Sequence, residues 1–210
     1  APKPGVEYVA GLDVGLRTDP TVLVIMERHT RKVANAYEWD GSDNLTWPHM
    51  RQAIVETHKH WGFKDIVMDT TAQAGLALSQ ELLMDGLPIY SYTLTAHSRP
   101  KLLMDLAVSL EHETVKFPKI EKIVRELRVF QERTTPGGYT KAEAPPGEHD
   151  DYVFSLALAL TACVDPYYDP EGADIFRQGR YVPTQSEAEY GPKAIARGYG
   201  ARLLKERKQI

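Results

Sequence analysis

EYVAGLDVGLRTDPTVLVIMER, residues 7–28, is the stretch whose reading decides the fold. Over residues 7–14 the chain alternates. Tyr8, Ala10 and Leu12 fall on one face, and Val9, Gly11 and Asp13 on the other, which predicts a strand. GLRTDP is a turn. TVLVIMER, residues 21–28, is a β-branched run that predicts a second strand. KVANAYEWD, residues 32–40, predicts a third after the polar His29 and Thr30. Two short turns joining three strands imply an antiparallel meander.

Downstream, the period changes. Trp47, Met50, Ile54 and Trp61 recur at helical spacing, and Gly62 is the stop. DIVMDTT, residues 65–71, predicts a short buried strand containing Asp69. Residues 75–86 read as a helix ended by Gly86, and residues 88–95 as a strand. Ser98 is the expected cap of a helix over 98–113, with Pro100 tolerated in its first turn. VKFP, residues 115–118, reads as a short edge strand. Ile120, Ile123, Val124, Leu127 and Phe130 predict an amphipathic helix over 119–134. TTPGGYTKAEAPPG reads as a turn-rich hairpin or loop, and a strongly apolar helix follows over 150–164. The order is three meander strands and then alternating helices and strands. That predicts an α/β fold with a mixed sheet flanked by helices and joined by right-handed crossovers.

The 210 residues are expected to form one domain, or one domain with a tail. APKPGV, residues 1–6, reads as a linker remnant, residues 7–164 as the folded domain, and residues 165–210 as a peripheral extension. A hydrophobic content of 42% is enough for a core. The net charge of −4 excludes a uniformly basic nucleic-acid binder, although a local basic patch can still do that work. The single cysteine, Cys163, excludes an internal disulfide and is expected to be packing. No run of residues reaches the ~20 apolar positions that span a bilayer, so no membrane partner is expected.

EHDDYVFSLALALTAC, residues 148–163, places Asp150 and Asp151 side by side at the mouth of the most apolar helix. Adjacent carboxylates repel, and burial opposes their charge, so a bound cation is the simplest resolution. Asp13 and Asp69 each interrupt an apolar strand with the same charge. In a mixed sheet the first strand commonly neighbours the strand reached by the first crossover, which would set these two side by side. The last helix would bring its N-terminus to the same edge. Taken singly, each acid has an ordinary explanation as a turn former, helix cap or dipole partner. Together they suit two-metal phosphoryl transfer. Mg²⁺ and Mn²⁺ prefer carboxylate oxygens, and two such ions ~3.5–4 Å apart need bridging and flanking carboxylates. Asp19, across the first turn, can fold back as an auxiliary ligand, although Asp-Pro is also a common turn pair.

GLDVGLRTDPTVLVIM, IVMDTTAQAG and EHDDYVFSLALALT together resemble the C-terminal nuclease domain of the large terminase subunit of tailed bacteriophages. The resemblance covers residues 6–164. It implies a ribonuclease-H-like fold and an endonuclease that cuts concatemeric double-stranded viral DNA during packaging. It carries the metal-ligand and catalytic roles onto Asp13, Asp69, Asp150 and Asp151, with Asp19 at a further acidic position, and implies two Mg²⁺ or Mn²⁺ ions. It also implies an ATPase domain upstream in the same polypeptide, with the portal and the small terminase subunit as partners. The site of action would be the host cytoplasm rather than the mature virion. The chain has no G-x-x-x-x-G-K-[ST] motif, so ATPase activity is not expected of it.

Four acids repel DNA unless metals and basic residues offset them. Candidate DNA contacts are Arg17 in the first turn, Arg99 and Lys101 at a helix start, and Lys141 in the Gly-rich hairpin. In the terminase resemblance that hairpin lies near the cleft as a gate. Residues 193–210 hold six Lys or Arg against one Glu and form a basic terminus. Such contacts would meet phosphates and read little sequence.

Three other readings compete. A Holliday junction resolvase, an integrase core or another ribonuclease-H-like nuclease would use the same metals. An actin-like nucleotide-binding domain shares the GLDVG start, but no late Gly-rich adenosine motif is present. A non-catalytic interaction module would use the acids only as caps.

Overall fold

The computed structural model describes residues 1–15, 19–39, 46–134, 140–163 and 175–176. Its meander comprises β1 (Tyr8–Asp13), β2 (Thr21–Glu27) and β3 (Lys32–Trp39), as the alternation predicts. Helix α1 (Trp47–Trp61) leads to β4 (Ile66–Asp69), α2 (Gln73–Met84) to β5 (Ile89–Tyr92), and then come α3 (Ser98–Glu111) and α4 (Glu121–Val129). A small hairpin of β6 (Gln131–Thr134) and β7 (Thr140–Glu143) precedes α5 (Asp151–Cys163). The two residues of β8 (Ile175–Phe176) pair antiparallel with β5, and the remainder of the predicted extension lies outside the described residues.

The main sheet runs β3-β2-β1-β4-β5-β8. β1, β2 and β3 are antiparallel neighbours, whereas β1, β4 and β5 run parallel. This is the ribonuclease-H-like mixed sheet that the sequence resemblance implies. Alternation along each strand sorts the apolar residues onto two faces. Tyr8, Ala10, Leu12, Ile66 and Met68 face α1 and α2. Val9, Val67, Tyr90 and Tyr92 face α3, α4 and α5. α5 is enclosed between the sheet and the two helices outside it. Every side chain from Tyr152 to Leu160 is buried, which explains a helix that is apolar all round. Burial also pushes the Cys163 thiol up to about 12, as suits a packing residue.

α5 lies directly on β1 at Gly11. A Cβ there would stand 2.1 Å from the Ser155 carbonyl oxygen and 2.3 Å from the Ala159 amide nitrogen, so a side chain has no room. Ser155 fastens the seam. Its buried hydroxyl accepts the Val24 N–H at 2.9 Å and lies 2.8 Å from the Gly11 carbonyl, tying α5 to β1 and β2 together.

Three local expectations are corrected. The helix predicted over 119–134 ends at Val129, and Gln131–Thr134 is a strand. Phe130 is the last apolar residue of the pattern and turns extended, and cross-strand pairing with Thr140–Glu143 then outweighs helix continuation. Ser98 is not the cap of α3. It is buried in the first turn, with its hydroxyl donating to the Thr93 carbonyl at 2.7 Å, and His97 occupies the cap position. VKFP makes a single bridge from Lys116 to Lys32 rather than a strand, and Pro118 lacks the N–H to extend it.

Candidate active site

β1 and β4 pair in parallel, with Leu12 opposite Met68. One step further along the same register, Asp13 stands beside Asp69 at the C-terminal edge of both strands. Both acids fall on the α5 face, since they alternate in step with Val9 and Val67. α5 runs from this edge back along β1: Ser155 reaches Gly11, and Asp151 sits one helical turn nearer the edge.

The electrostatics report the same convergence. The Asp13 carboxyl is held well above the usual carboxylate range, first by burial and then by the charges of Asp69, Asp151 and Asp150. A bond from the Val14 amide works weakly against this. The Asp151 carboxyl is pushed up to about 6. Burial is the main cause, His149 opposes it, and Asp150 and Asp19 add to it. Asp19 is thus part of the same field, across the first turn from Asp13. Among the described residues, no three His, Cys, Asp or Glu side chains are gathered into a ready-made ligand set. What the fold supplies is a shared field in which most of the acids are held by neighbours of their own. Thr71 donates its N–H and hydroxyl to Asp69 Oδ1, in a small turn after β4. Ala144 donates its N–H to Asp150 Oδ2 at 3.3 Å. His149 Nδ1 lies 3.4 Å from Asp151 Oδ2.

The ordinary duty of acids at a helix start is to cap it, and here that duty is done by another residue. The Asp150 carbonyl accepts the Phe154 N–H, which makes Asp150 the cap position of α5. Yet the amides that a capping side chain would bind, those of Tyr152 and Val153, donate to Glu126 Oε2 at 2.8 and 3.4 Å. Glu126 comes from α4 and is buried, and its carboxyl is pushed up to about 7, chiefly by that burial. Sequence reasoning missed Glu126. The available signal was an acid placed between Ile123, Leu127 and Phe130 on the apolar stripe of α4.

The basic candidates divide. Arg99 turns inward. Its guanidinium carbon lies 4.4 Å from the Phe154 ring centroid, one terminal nitrogen donates to the Ala142 carbonyl, and the same nitrogen stands 3.8 Å from Asp150 Oδ2. Lys101 is at the surface beside Asp105, one turn along α3. Arg17 lies outside the described residues. Lys141 belongs to β7, where its backbone pairs with Arg133.

No family model matches the chain. Its sequence is 28% identical over 155 residues to the large terminase subunits of Thermus phage G20c and Thermus virus P23-45, covering 73% of this chain. The chain spans 31% of the length of these relatives. Its fold is similar to the crystal structure of the large terminase nuclease from phage G20c with bound magnesium. That match has a TM-score of 0.69 and 28% identity over 76% of this chain and 82% of that one. The same nuclease has been solved with bound cobalt and with bound zinc. In sequence and in fold, the chain is thus similar to large terminase nuclease domains.

Proposed function

We propose that this relative of terminase nucleases is a metal-dependent endonuclease domain, which cuts concatemeric double-stranded DNA during viral genome packaging. The observation that carries the reading is the meeting of Asp13, Asp69, Asp150 and Asp151 in one field at a sheet edge, with the capping of α5 delegated to Glu126. The donors fit hard divalent cations. All are carboxylate oxygens, and their mutual repulsion and burial favour a partner of opposite charge. Asp13, Asp69, Asp150 and Asp151 would hold two ions, Mg²⁺ or Mn²⁺, with Asp19 as an auxiliary ligand. When bound, such ions neutralise the scissile phosphate and lower the pKa of water at the site. The chain's own part is to hold its carboxylates in place at that sheet edge.

DNA would approach the open edge of the sheet. Arg17, Lys101 and Lys141 are the proposed phosphate contacts, with Arg99 available beside Asp150. Residues 7–164 would be the nuclease unit, residues 1–6 a linker from an ATPase domain, and residues 165–210 a peripheral extension. The portal and the small terminase subunit are the proposed partners, in the host cytoplasm. Among the described residues, no helix is long and apolar enough to cross a membrane. The test is nicking of supercoiled plasmid by the chain with Mg²⁺ or Mn²⁺. Cleavage that stops in EDTA supports the reading, and cleavage that persists in EDTA, or none with either ion, sinks it.

A further inference from the structure

We infer that Glu126 is a positioning residue for the metal site: by capping α5 from α4, it frees the Asp150 and Asp151 carboxylates to face Asp13 and Asp69. The inference rests on the proposed function and assigns a role to a residue outside the ligand set.

The first amides of an α-helix lack intrahelical acceptors, and an Asp at the cap position is among their preferred partners. Asp150 has the right place and chemistry for that task. With Glu126 occupying the Tyr152 and Val153 amides at 2.8 and 3.4 Å, Asp150 instead takes the Ala144 N–H and lies beside Arg99. The Glu126 carboxylate is held firmly enough to do this. Its residue is 8% exposed, and two ion pairs tie down the part of α4 that leads to it. Lys122 pairs with Glu38 on β3 at 2.7 Å, and Glu38 also receives the Tyr152 hydroxyl at 2.8 Å. Arg125 pairs with Glu148 at 2.8 Å, two residues before Asp150. The clamp therefore fixes the first turn of α5 against the sheet edge where Asp13 and Asp69 end their strands. Without Glu126, the side chain of Asp150 at the cap position is the natural acceptor for the α5 amides, and a carboxylate drawn into capping is lost to a cation.

The experiment is Mn²⁺ binding to the whole chain by titration calorimetry without DNA, alongside melting temperature. Loss of a residue supporting a metal ligand typically weakens affinity about 10–100-fold, and that is expected for Glu126→Ala and for the shorter Glu126→Asp. Glu126→Gln keeps an acceptor oxygen at the same reach and is expected to bind near the wild-type level. Tyr152→Phe removes the hydroxyl bond to Glu38 but leaves the α5 amides capped. It is expected to lower the melting temperature while weakening Mn²⁺ binding less than Glu126→Asp does. Wild-type affinity in Glu126→Asp overturns the inference, as does a Gln variant as weak as the Asp variant, and both comparisons hold even if the Ala variant does not fold. Loss of binding in Tyr152→Phe to the same degree would reduce Glu126 to a general stabiliser and also overturns it. Absence of Mn²⁺ binding by the wild type removes the proposed metal site itself, and this inference with it.

Discussion

Gly11 and Asp13 are two residues apart on β1 and face the same helix, and Ser155 and Asp151 are one turn apart on that helix. Yet the two ends of this short contact obey opposite physics. At Gly11 the backbones of strand and helix touch, with no room for a methyl group, and a buried hydroxyl ties the seam together. At Asp13, burial and like charge both work against the ionised side chains. The seam holds the helix where the acidic end needs it. The acidic end contributes repulsion that the seam must offset, so stability and the proposed chemistry are separated by only a few ångströms along one strand.

The widest separation is expected from the acids themselves. Asp13→Asn, Asp69→Asn and Asp151→Asn should each lower plasmid nicking in Mn²⁺ by on the order of 100-fold or more, since even supporting residues of metal sites cost 10–100-fold. Their metal-free melting temperatures should hold or rise, because repulsion is relieved. A variant that nicks normally, or one that unfolds, would break the contrast.

Gly11→Ala should do the reverse. A Cβ 2.1 Å from a helix carbonyl demands that α5 move away, at a cost of about 3 kcal/mol or more. A melting curve within a degree or two of wild type would show that the seam is slack. Ser155→Ala is a milder probe of the same seam. It leaves the Val24 N–H without its buried acceptor and should cost about 1–3 kcal/mol, while Mn²⁺ affinity falls little.

The pH response sharpens the contrast further. The Asp151 carboxyl has an ordinary value of 3.8 and sits at about 6 in the fold, so the folded chain binds this proton more tightly than the unfolded one. That contribution is fully present below pH 3.8 and is lost as pH rises through about 6. Glu126, at about 7, behaves likewise. Glu27 works in the opposite direction. Its carboxyl is held below the usual range by Thr30 and Lys3, so its contribution is lost as pH falls. The metal-free chain should therefore melt higher near pH 5 than near pH 7.5, by roughly 1–3 kcal/mol in stability. Asp151→Asn should reduce that difference without abolishing it, since Glu126 still titrates at about 7, as measured by calorimetric scans across pH. The smallest effect is expected at Lys101→Ala, whose exposed pair with Asp105 is worth less than ~0.5 kcal/mol in thermal melts.

Much of this was legible in the residues. The alternation of β1 placed Gly11 and Asp13 on one face, and an apolar run ending in Asp69 marked the neighbouring strand end. Gly62 stops α1 in the left-handed conformation that favours glycine, with φ 64°. These are local signals with a fixed period, and tertiary contacts reinforce them. The capping of α5 by Glu126 was not legible, because its partner amides lie on another helix and carry no sequence signature. The packing of Arg99 on Phe154 was not legible for the same reason: only the fold brings Phe154 and Asp150 to it. The end of α4 was missed because QERT has no strong preference of its own and takes its conformation from the facing strand.

The convergence of the acids is tested most directly by a crystal of the chain soaked in Mn²⁺, with data collected at a wavelength that gives manganese an anomalous signal. The expected result is one or two peaks at the C-terminal edge of β1 and β4, within ligand distance of Asp13, Asp69 and the Asp150–Asp151 pair. A map with no peak there, or with manganese bound only to acids elsewhere on the surface, would contradict it.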